Sequence, residues 1–270
     1  MSRPSLLFSI SLMQPVDQSI PCSTATSELL VGLAQTGCQI AEELYQSGRK
    51  VYLFVSNAGR LPRRYRGKDI TWWLDVVDFF DKTVDQLPSP KAKFAASAHG
   101  TGKDGGRTIN LHQFARDGVV LLGHIQNVQA DGIVLVPDLK ENLAKADKFE
   151  PNFVREVDNY IERNGVDAPI DPLPELSNGY EAEEILEFDL KSAGISSVIW
   201  ATGYKFNFSL VKLPAFDEDE YPLQKRGVTE FPWLHFIGLS FLHTSKSGLL
   251  HGVGDDAAHV VEHIALPIVS

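Results

Sequence analysis

Leu29-Leu30-Val31-Gly32-Leu33-Ala34-Gln35-Thr36-Gly37-Cys38-Gln39-Ile40-Ala41-Glu42-Glu43-Leu44 is the stretch that decides how this chain folds. A short apolar run enters a small-residue turn, Gly32-x-Ala34-x-x-Gly37, and the turn opens an amphipathic helix. Gly32 permits a tight turn, a small second residue lets backbone approach a pyrophosphate, and Gly37 lets the helix pack on the strand. N–H groups at the helix start then face phosphates. The spacing predicts a dinucleotide-binding turn; an ordinary α/β turn without a nucleotide is the alternative.

The residues that follow complete a βαβ unit around this turn. We predict a first strand at 29–32, a helix from Thr36 to Gln46 that stops at Gly48, and a second strand from Lys50 to Val55. The unit has the length that a dinucleotide fingerprint requires. This context favours the nucleotide site over the alternative.

The segment after the second strand indicates which dinucleotide is bound. NAD sites place Asp or Glu there for the ribose 2′-OH, but residues 51–67 contain no acidic side chain. The segment instead carries Arg60, Arg63, Arg64 and Arg66. Guanidinium groups pair well with phosphate oxygens, which predicts NADPH with its 2′-phosphate on these arginines. A solvated basic loop is the alternative.

Further elements follow from periodicity and from glycine and proline positions. We predict helices at 70–80 and 110–118, a strand at 119–123, and a hairpin around Asp131-Gly132. A helical stretch over 138–164 is expected to divide at Pro151 and to lead into a linker at 167–178. The end of the chain predicts a buried strand at 196–204, another strand at 234–238, and a last helix at 257–264.

Composition excludes several classes of function. The 270 residues, 43% of them apolar, allow one or two domains. A net charge of −10 argues against a nucleic-acid partner, and no apolar run approaches the ~20 residues of a membrane span. Residues 5–13 faintly imitate a signal peptide, but serines interrupt the apolar run. With two cysteines, Cys22 and Cys38, we expect a cytoplasmic protein in a reducing compartment.

Several motifs in order resemble two-dinucleotide-binding-domain flavoproteins, and closely the flavin-containing monooxygenase-like NADPH oxidoreductases. The resemblance begins at Leu29 and includes the fingerprint turn and the stretches 60–69, 106–114, 201–204 and 252–257. It implies an α/β fold with a Rossmann-like three-layer NAD(P)-binding domain over 29–203. The C-terminal remnant of an FAD-binding domain would cover 204–270, and residues 1–28 would be an irregular N-terminal segment.

The resemblance also implies an activity. In that family NADPH passes a hydride to FAD, and many members then insert one oxygen atom into a small organic substrate. The flavin carries the difficult chemistry, so we assign no catalytic residue. We also assign no metal site, because His259 and His263, one helical turn apart, are more typical of a helix surface. The substrate and the oligomeric state stay open.

The cofactor-binding residues are carried over by matching motifs. The pyrophosphate of NADPH would lie on Gly32, Ala34, Gln35, Thr36 and Gly37, and the 2′-phosphate on Arg60, Arg63 and Arg64. Ala201, Thr202 and Gly203 would line the crossing between the two cofactor regions. Gly254 and Asp255 would face the ribityl and phosphate side of the flavin.

The sequence departs from the family pattern at its start. The family has two glycine fingerprints, with FAD on the first, whereas the only fingerprint here begins at Gly32, and 31 residues precede it. We therefore expect the N-terminal FAD-binding half to be missing and FAD binding to be impaired. The alternative function is a non-catalytic NADPH-binding module, or an inactive fragment that has lost flavin binding.

Loss of that half would also leave aromatic side chains without their usual cover. We expect an exposed apolar patch that a second copy or a partner could cover. Its members would be Phe206, Phe208, Phe231, Trp233, Phe236 and Phe241.

Overall fold

The computed structural model describes residues 26–56, 59–94, 99–129, 132–204 and 206–265. The expectations for the N-terminal segment, including its signal-like stretch and Cys22, lie outside these residues. The first half contains β1 (Ser27–Val31), α1 (Gln35–Gln46), β2 (Lys50–Phe54), β3 (Arg64–Tyr65), β4 (Lys68–Asp69), α2 (Ile70–Val76), α3 (Leu111–Arg116), β5 (Val120–Leu122), β6 (Ile125–Gln129) and β7 (Gly132–Leu135). The second half contains α4 (Leu139–Asp147), α5 (Phe149–Asn164), α6 (Asn178–Glu181), β8 (Glu187–Asp189), β9 (Ile195–Trp200) and α7 (Val253–Ala265).

A four-stranded parallel sheet forms the centre of the fold, with the strand order β5-β2-β1-β9. Its middle strands bury Leu29, Leu30, Val51 and Leu53 almost completely, which is typical of parallel strands covered on both faces. Helix α1 connects β1 to β2 and ends at Gly48, whose φ of 85° suits glycine. The predicted α/β fold with a parallel sheet, and the βαβ unit at its centre, are therefore confirmed.

A second sheet lies beside the first. Strands β6, β7 and β8 form an antiparallel sheet, and Ile133 and Phe188 from it share an apolar cluster with Tyr52 and Phe54 of β2. The predicted hairpin is present, since Gln129 of β6 pairs with Gly132 of β7. Its two connecting residues lie outside the described part of the chain.

Helices α2 and α5 form a second apolar cluster with the β3–β4 hairpin. Trp73 is fully buried in it and donates from Nε1 to the carbonyl oxygen of Tyr65 at 2.7 Å. The expected division at Pro151 is wrong, because α4 ends at Asp147 and α5 already begins at Phe149. Pro151 lies in the first turn of α5, where a backbone N–H would have no helical partner in any case.

Four other elements also differ from expectation. Strand β9 was expected to be buried, but it is an edge strand, and Trp200 is 67% exposed. Residues 234–238 form no strand; His235 makes an isolated bridge to Val228. Helix α2 stops at Val76 rather than residue 80, and α7 begins at Val253, four residues earlier than predicted. The edge position of β9 depends on which strands pair with it, and a local pattern does not contain this information.

The C-terminal segment packs on the residues around and after α2. Ser245 donates from Oγ to the carbonyl of Phe80 at 2.9 Å, and Lys246 pairs with Asp81 at 2.8 Å. None of the residues in the three apolar clusters comes from beyond residue 203. The domain boundary at 203 stays a prediction. In the described residues no helix combines the length and apolar character needed to span a bilayer.

The six aromatic side chains of the expected patch are unevenly covered. Phe206 is 41% exposed and Trp233 is 71% exposed. The other four are partly buried, and Phe208 stacks between Phe206 and Phe216. Incomplete cover is therefore observed chiefly at Phe206 and Trp233.

We predict that Gly37→Ala lowers the free energy of unfolding by about 1–3 kcal/mol, because its Cβ would overlap the carbonyl oxygen of Gly32. Urea denaturation measures the change. Gly254→Ala in α7 is the matched control, since a Cβ there meets no atom within 4 Å. This control should gain up to about 1 kcal/mol from helix propensity. Equal stability of the two variants would contradict the packing role of Gly37.

Candidate functional site

The fingerprint turn lies where β1, β9 and α1 meet. Gly32 has a φ of +121°, and a Cβ on it would overlap the carbonyl oxygen of Ala201. A Cβ on Gly37 would overlap the carbonyl oxygen of Gly32. The amide of Ala201 also donates to Val31 at 2.8 Å, which continues the pairing of β1 with β9. The structure thus brings together three of the predicted site residues, and both glycines are required by close backbone approach.

The start of α1 is open to an anion. Ala34 is the N-cap residue, with φ −62° and ψ 172°, an extended conformation that any residue can adopt. Its side chain cannot cap the helix, and no acidic residue occupies the first turn. Within the described ranges of the chain, the amides of Gln35, Thr36 and Gly37 therefore have no side-chain acceptor at the positive end of a 12-residue helix.

Cys38 follows this turn but is not a reactive thiol. Its side chain is fully buried in the main apolar cluster, and Sγ lies 3.6 Å from the carbonyl oxygen of Leu33. Burial, assisted by the negative charge of Glu42, raises the pKa of the Cys38 thiol above its ordinary value. Packing is therefore its role.

Arg60, expected on the 2′-phosphate, is engaged inside the protein. Its guanidinium donates to Glu150 Oε2 at 2.6 Å and 3.0 Å and to Asp147 Oδ1 at 3.1 Å. Its side chain is 12% exposed. Two carboxylates already neutralise this charge, so a phosphate would have to compete with both.

The other three arginines of the segment differ in their partners. Arg63 pairs with Asp69 at 2.9 Å, and Arg66 pairs with Asp158 at 2.8 Å. Arg64 is exposed and donates to the neutral carbonyl oxygen of Gly105 at 2.8 Å. Among these side chains, Arg64 has the contact that a phosphate can replace at the lowest cost.

Asp147 is the centre of a polar network that the sequence did not reveal. It accepts hydrogen bonds from Tyr180 at 2.6 Å and from Nε2 of buried His112 at 2.9 Å. The amide of Gly179 donates to Nδ1 of His112 at 3.0 Å, which fixes a neutral imidazole with its proton on Nε2. Short-range motifs give no signal for this network, because its members come from α3, α4 and α6.

The network shifts two pKa values. Burial opposes the ionisation of Asp147, but hydrogen bonds from His112 and Tyr180 and the charge of Arg60 outweigh it and lower the pKa of Asp147. Burial and the hydrogen bond to Asp147 raise the pKa of Tyr180 to about 12. Asp147 therefore stays ionised at neutral pH and holds Arg60, Tyr180 and His112 together.

The remaining predicted residues occupy two places. Thr202 and Gly203 are exposed and directly follow Ala201 at the end of β9. Gly254 and Asp255 are exposed in the first turn of α7, where Arg226 donates to the carbonyl oxygen of Asp255 at 3.5 Å. The two places lie on separate elements. In the described residues no three His, Cys, Asp or Glu side chains form a metal site.

Curated proteins similar to this chain include bacterial oxidoreductases. One named "uncharacterized oxidoreductase CzcO-like", from Geobacillus kaustophilus, is 26% identical over 241 residues, which is 88% of this chain and 52% of that protein. Two named "uncharacterized oxidoreductase CzcO" are 35% (Bacillus velezensis) and 33% (Bacillus subtilis) identical over 82 residues, 30% of this chain and 24% of each relative. The chain thus spans about half the length of the first relative. No family model and no solved structure gives a significant match.

We predict that Arg60→Ala destabilises the fold by about 1–3 kcal/mol, because Glu150 and Asp147 lose their shared counter-ion in a largely buried place. Urea denaturation at pH 7 measures the loss. Arg64→Ala is the matched control and should change stability by less than about 0.5 kcal/mol. A similar small effect for both variants would contradict a structural role for Arg60.

We also predict acid sensitivity that depends on Asp147. Because its pKa is lowered on folding, its contribution to stability is complete above the unfolded-state value of about 3.9 and is lost as the pH falls through the folded-state value. Asp147→Asn should flatten the decline in stability below about pH 4. Thermal unfolding of both proteins from pH 7 to pH 2.5 tests this. An equally steep loss of stability below about pH 4 in wild type and Asp147→Asn would contradict it.

Proposed function

We propose that the chain binds NADPH at the Gly32–Gly37 turn and serves as the nicotinamide-nucleotide part of a flavin-linked oxidoreductase of monooxygenase type. The observation that carries the proposal is the uncapped start of α1, held against the ends of β1 and β9 by Gly32, Gly37 and Ala201. A helix start of this kind is suited to a pyrophosphate. The oxidoreductase names of the relatives support the same class of function.

The pyrophosphate would be held by backbone groups. The amides of Gln35, Thr36 and Gly37 are the donors, and the absence of an acidic residue in this first turn removes like-charge repulsion. The methyl group of Ala34 occupies the place of a middle glycine and reduces the room for the phosphate. We infer a weaker site rather than a lost one, because the backbone at Ala34 is unstrained.

The 2′-phosphate would be held by Arg64, with help from Arg63. Both lie after β2, on the segment where a nucleotide in this fold places its adenosine ribose. Arg60 instead supports that segment through Asp147 and Glu150. We therefore infer that Arg60 positions the phosphate ligands and does not contact the phosphate itself.

When bound, the two cofactors would supply the chemistry, which is hydride transfer from the nicotinamide and oxygen chemistry at the flavin. The chain's own contribution is to bind and orient. Thr202 and Gly203 would form the wall beside the pyrophosphate turn, since they follow Ala201 directly. Gly254 and Asp255 would contact the flavin from the first turn of α7.

Binding and turnover separate the proposed enzyme from the alternatives. Isothermal titration with NADPH measures binding, and NADPH absorbance at 340 nm, followed with and without added FAD, measures turnover. Binding with FAD-dependent oxidation supports the oxidoreductase. Binding without oxidation favours a non-catalytic NADPH module. Absence of NADPH binding by a cooperatively folded preparation contradicts the proposal.

We predict that Arg64→Ala weakens NADPH binding about tenfold and leaves NADH binding unchanged, because only NADPH carries the 2′-phosphate. Arg155→Ala is the matched control: it removes a cation on α5 that contacts Asn152. Wild type, Arg64→Ala and Arg155→Ala are each titrated with NADPH and with NADH, and their dissociation constants are compared. Equal losses for NADPH and NADH at Arg64 would place this side chain elsewhere on the nucleotide.

A further inference from the structure

A single buried residue, His99, contacts both parts of the proposed nucleotide site. Its Nε2 lies 2.5 Å from the carbonyl oxygen of Leu33, inside the fingerprint turn. Its backbone amide donates to the carbonyl oxygen of Gly59 at 2.9 Å, directly before Arg60. Only 2% of His99 is exposed. The two hydrogen bonds therefore connect the turn after β1 to the segment after β2.

The segment 99–108, which we name the clamp loop, extends this connection. On the side of α1, Gln39 donates from Nε2 to the carbonyl of Gly100 at 3.3 Å. On the other side, the carbonyl of Gly105 accepts from Arg64 at 2.8 Å. The clamp loop thus bridges the helix that would hold the pyrophosphate and the arginine that would hold the 2′-phosphate. We call this connection, including the two hydrogen bonds of His99, the clamp.

We propose that His99 is a positioning residue that fixes the distance between the pyrophosphate turn and the 2′-phosphate segment. This inference rests on the proposed NADPH function and deepens it. Both phosphate groups belong to one ligand, so the two parts of the site must be correctly spaced before binding. His99 itself need not touch the nucleotide.

The hydrogen bond to Leu33 specifies which ring nitrogen of His99 carries a proton. A carbonyl oxygen can only accept, so Nε2 carries the proton, and a neutral ring leaves Nδ1 as an acceptor. Nδ1 is buried and has no hydrogen-bond partner in the described residues. A second proton would place a charged N–H there without an acceptor, which is costly. Protonation should therefore open the clamp.

The surroundings of His99 lower its pKa on balance. Burial lowers the pKa of the imidazole; the hydrogen bond to Leu33 opposes this, and the positive charge of Arg60 adds to the lowering. Arg60 is itself paired with Glu150 and Asp147, and Gln39, which contacts Gly100 from α1, is uncharged. The clamp is thus complete above pH 6.5 and weakens as the pH falls below that value.

Two variants separate the hydrogen bond from the titration. His99→Gln keeps a side-chain N–H donor but cannot take up a proton, and His99→Phe keeps a ring without any donor. At pH 7.5 we expect His99→Phe to weaken NADPH binding about tenfold and His99→Gln by less than about threefold, as one buried hydrogen bond allows. Equal affinity of His99→Phe and wild type at pH 7.5 would overturn the proposal.

The pH dependence of NADPH affinity is the readout that a purely structural role of His99 would not change. Between pH 7.5 and 5.5 all variants lose affinity as the 2′-phosphate, with a pKa of about 6, takes up a proton. Wild type should lose about threefold more than His99→Gln over this interval. Parallel profiles for the two proteins would contradict the proposal, and this comparison remains decisive if His99→Phe does not fold.

Amide hydrogen exchange without nucleotide keeps this test independent of the proposed function. The amide of Cys38 makes the first backbone hydrogen bond of α1, to the carbonyl of Ala34 at 3.2 Å. It should exchange several-fold faster in His99→Phe, or in wild type at acidic pH after correction for intrinsic rates. If the amide exchanges faster in His99→Phe but wild type binds no NADPH, the clamp is supported and the NADPH site is rejected. Unchanged exchange would reject the clamp.

Discussion

The close approach of the Gly32 and Gly37 backbones is the constraint on which the rest of the structure depends. No side chain fits at either position, because the carbonyl oxygens of Ala201 and Gly32 occupy the space. Helix α1 can therefore lie directly against the ends of β1 and β9, and its main apolar contacts, Cys38 and Ala41, reach the central cluster. The first amides of α1, which Ala34 does not cap, lie at the same turn. The fold and the candidate binding site therefore share one turn.

Elements with a strong local signal could be predicted from the sequence. The glycine spacing and the apolar runs located β1, α1 and β2 to within two residues, since each is determined by its own residues and immediate neighbours. Prediction failed where a distant neighbour decides. Strand β9 has the apolar composition of a buried strand but lies at the sheet edge. Pro151 has the chemistry of a helix breaker, yet it lies in a first turn, where proline is tolerated.

The candidate site was predictable to a similar extent. The turn residues follow from spacing alone, whereas the partners of Arg60 lie 87 and 90 residues away on α4 and α5. His99 contacts the turn across 66 residues of sequence. Neither contact produces a local sequence pattern, because a buried ion pair or a buried imidazole is specified by three-dimensional packing. Residues that act through such long-range contacts are therefore missed when only motifs are considered.

The arginine segment shows why counting charges is insufficient to assign a phosphate site. Its four guanidinium groups predict a phosphate site, with a solvated basic loop as the alternative, but three of them pair with carboxylates within the fold. An internal ion pair fixes a side chain and also cancels the field that a phosphate would sense. Arg64 donates to a neutral carbonyl of the clamp loop and forms no ion pair within the described residues, although its charge also lowers the pKa of Asp69. Selectivity for NADPH would then depend chiefly on the guanidinium of Arg64, whose position is set by the loop that holds the pyrophosphate turn. The specificity residue and the positioning residue would act through one segment of the chain.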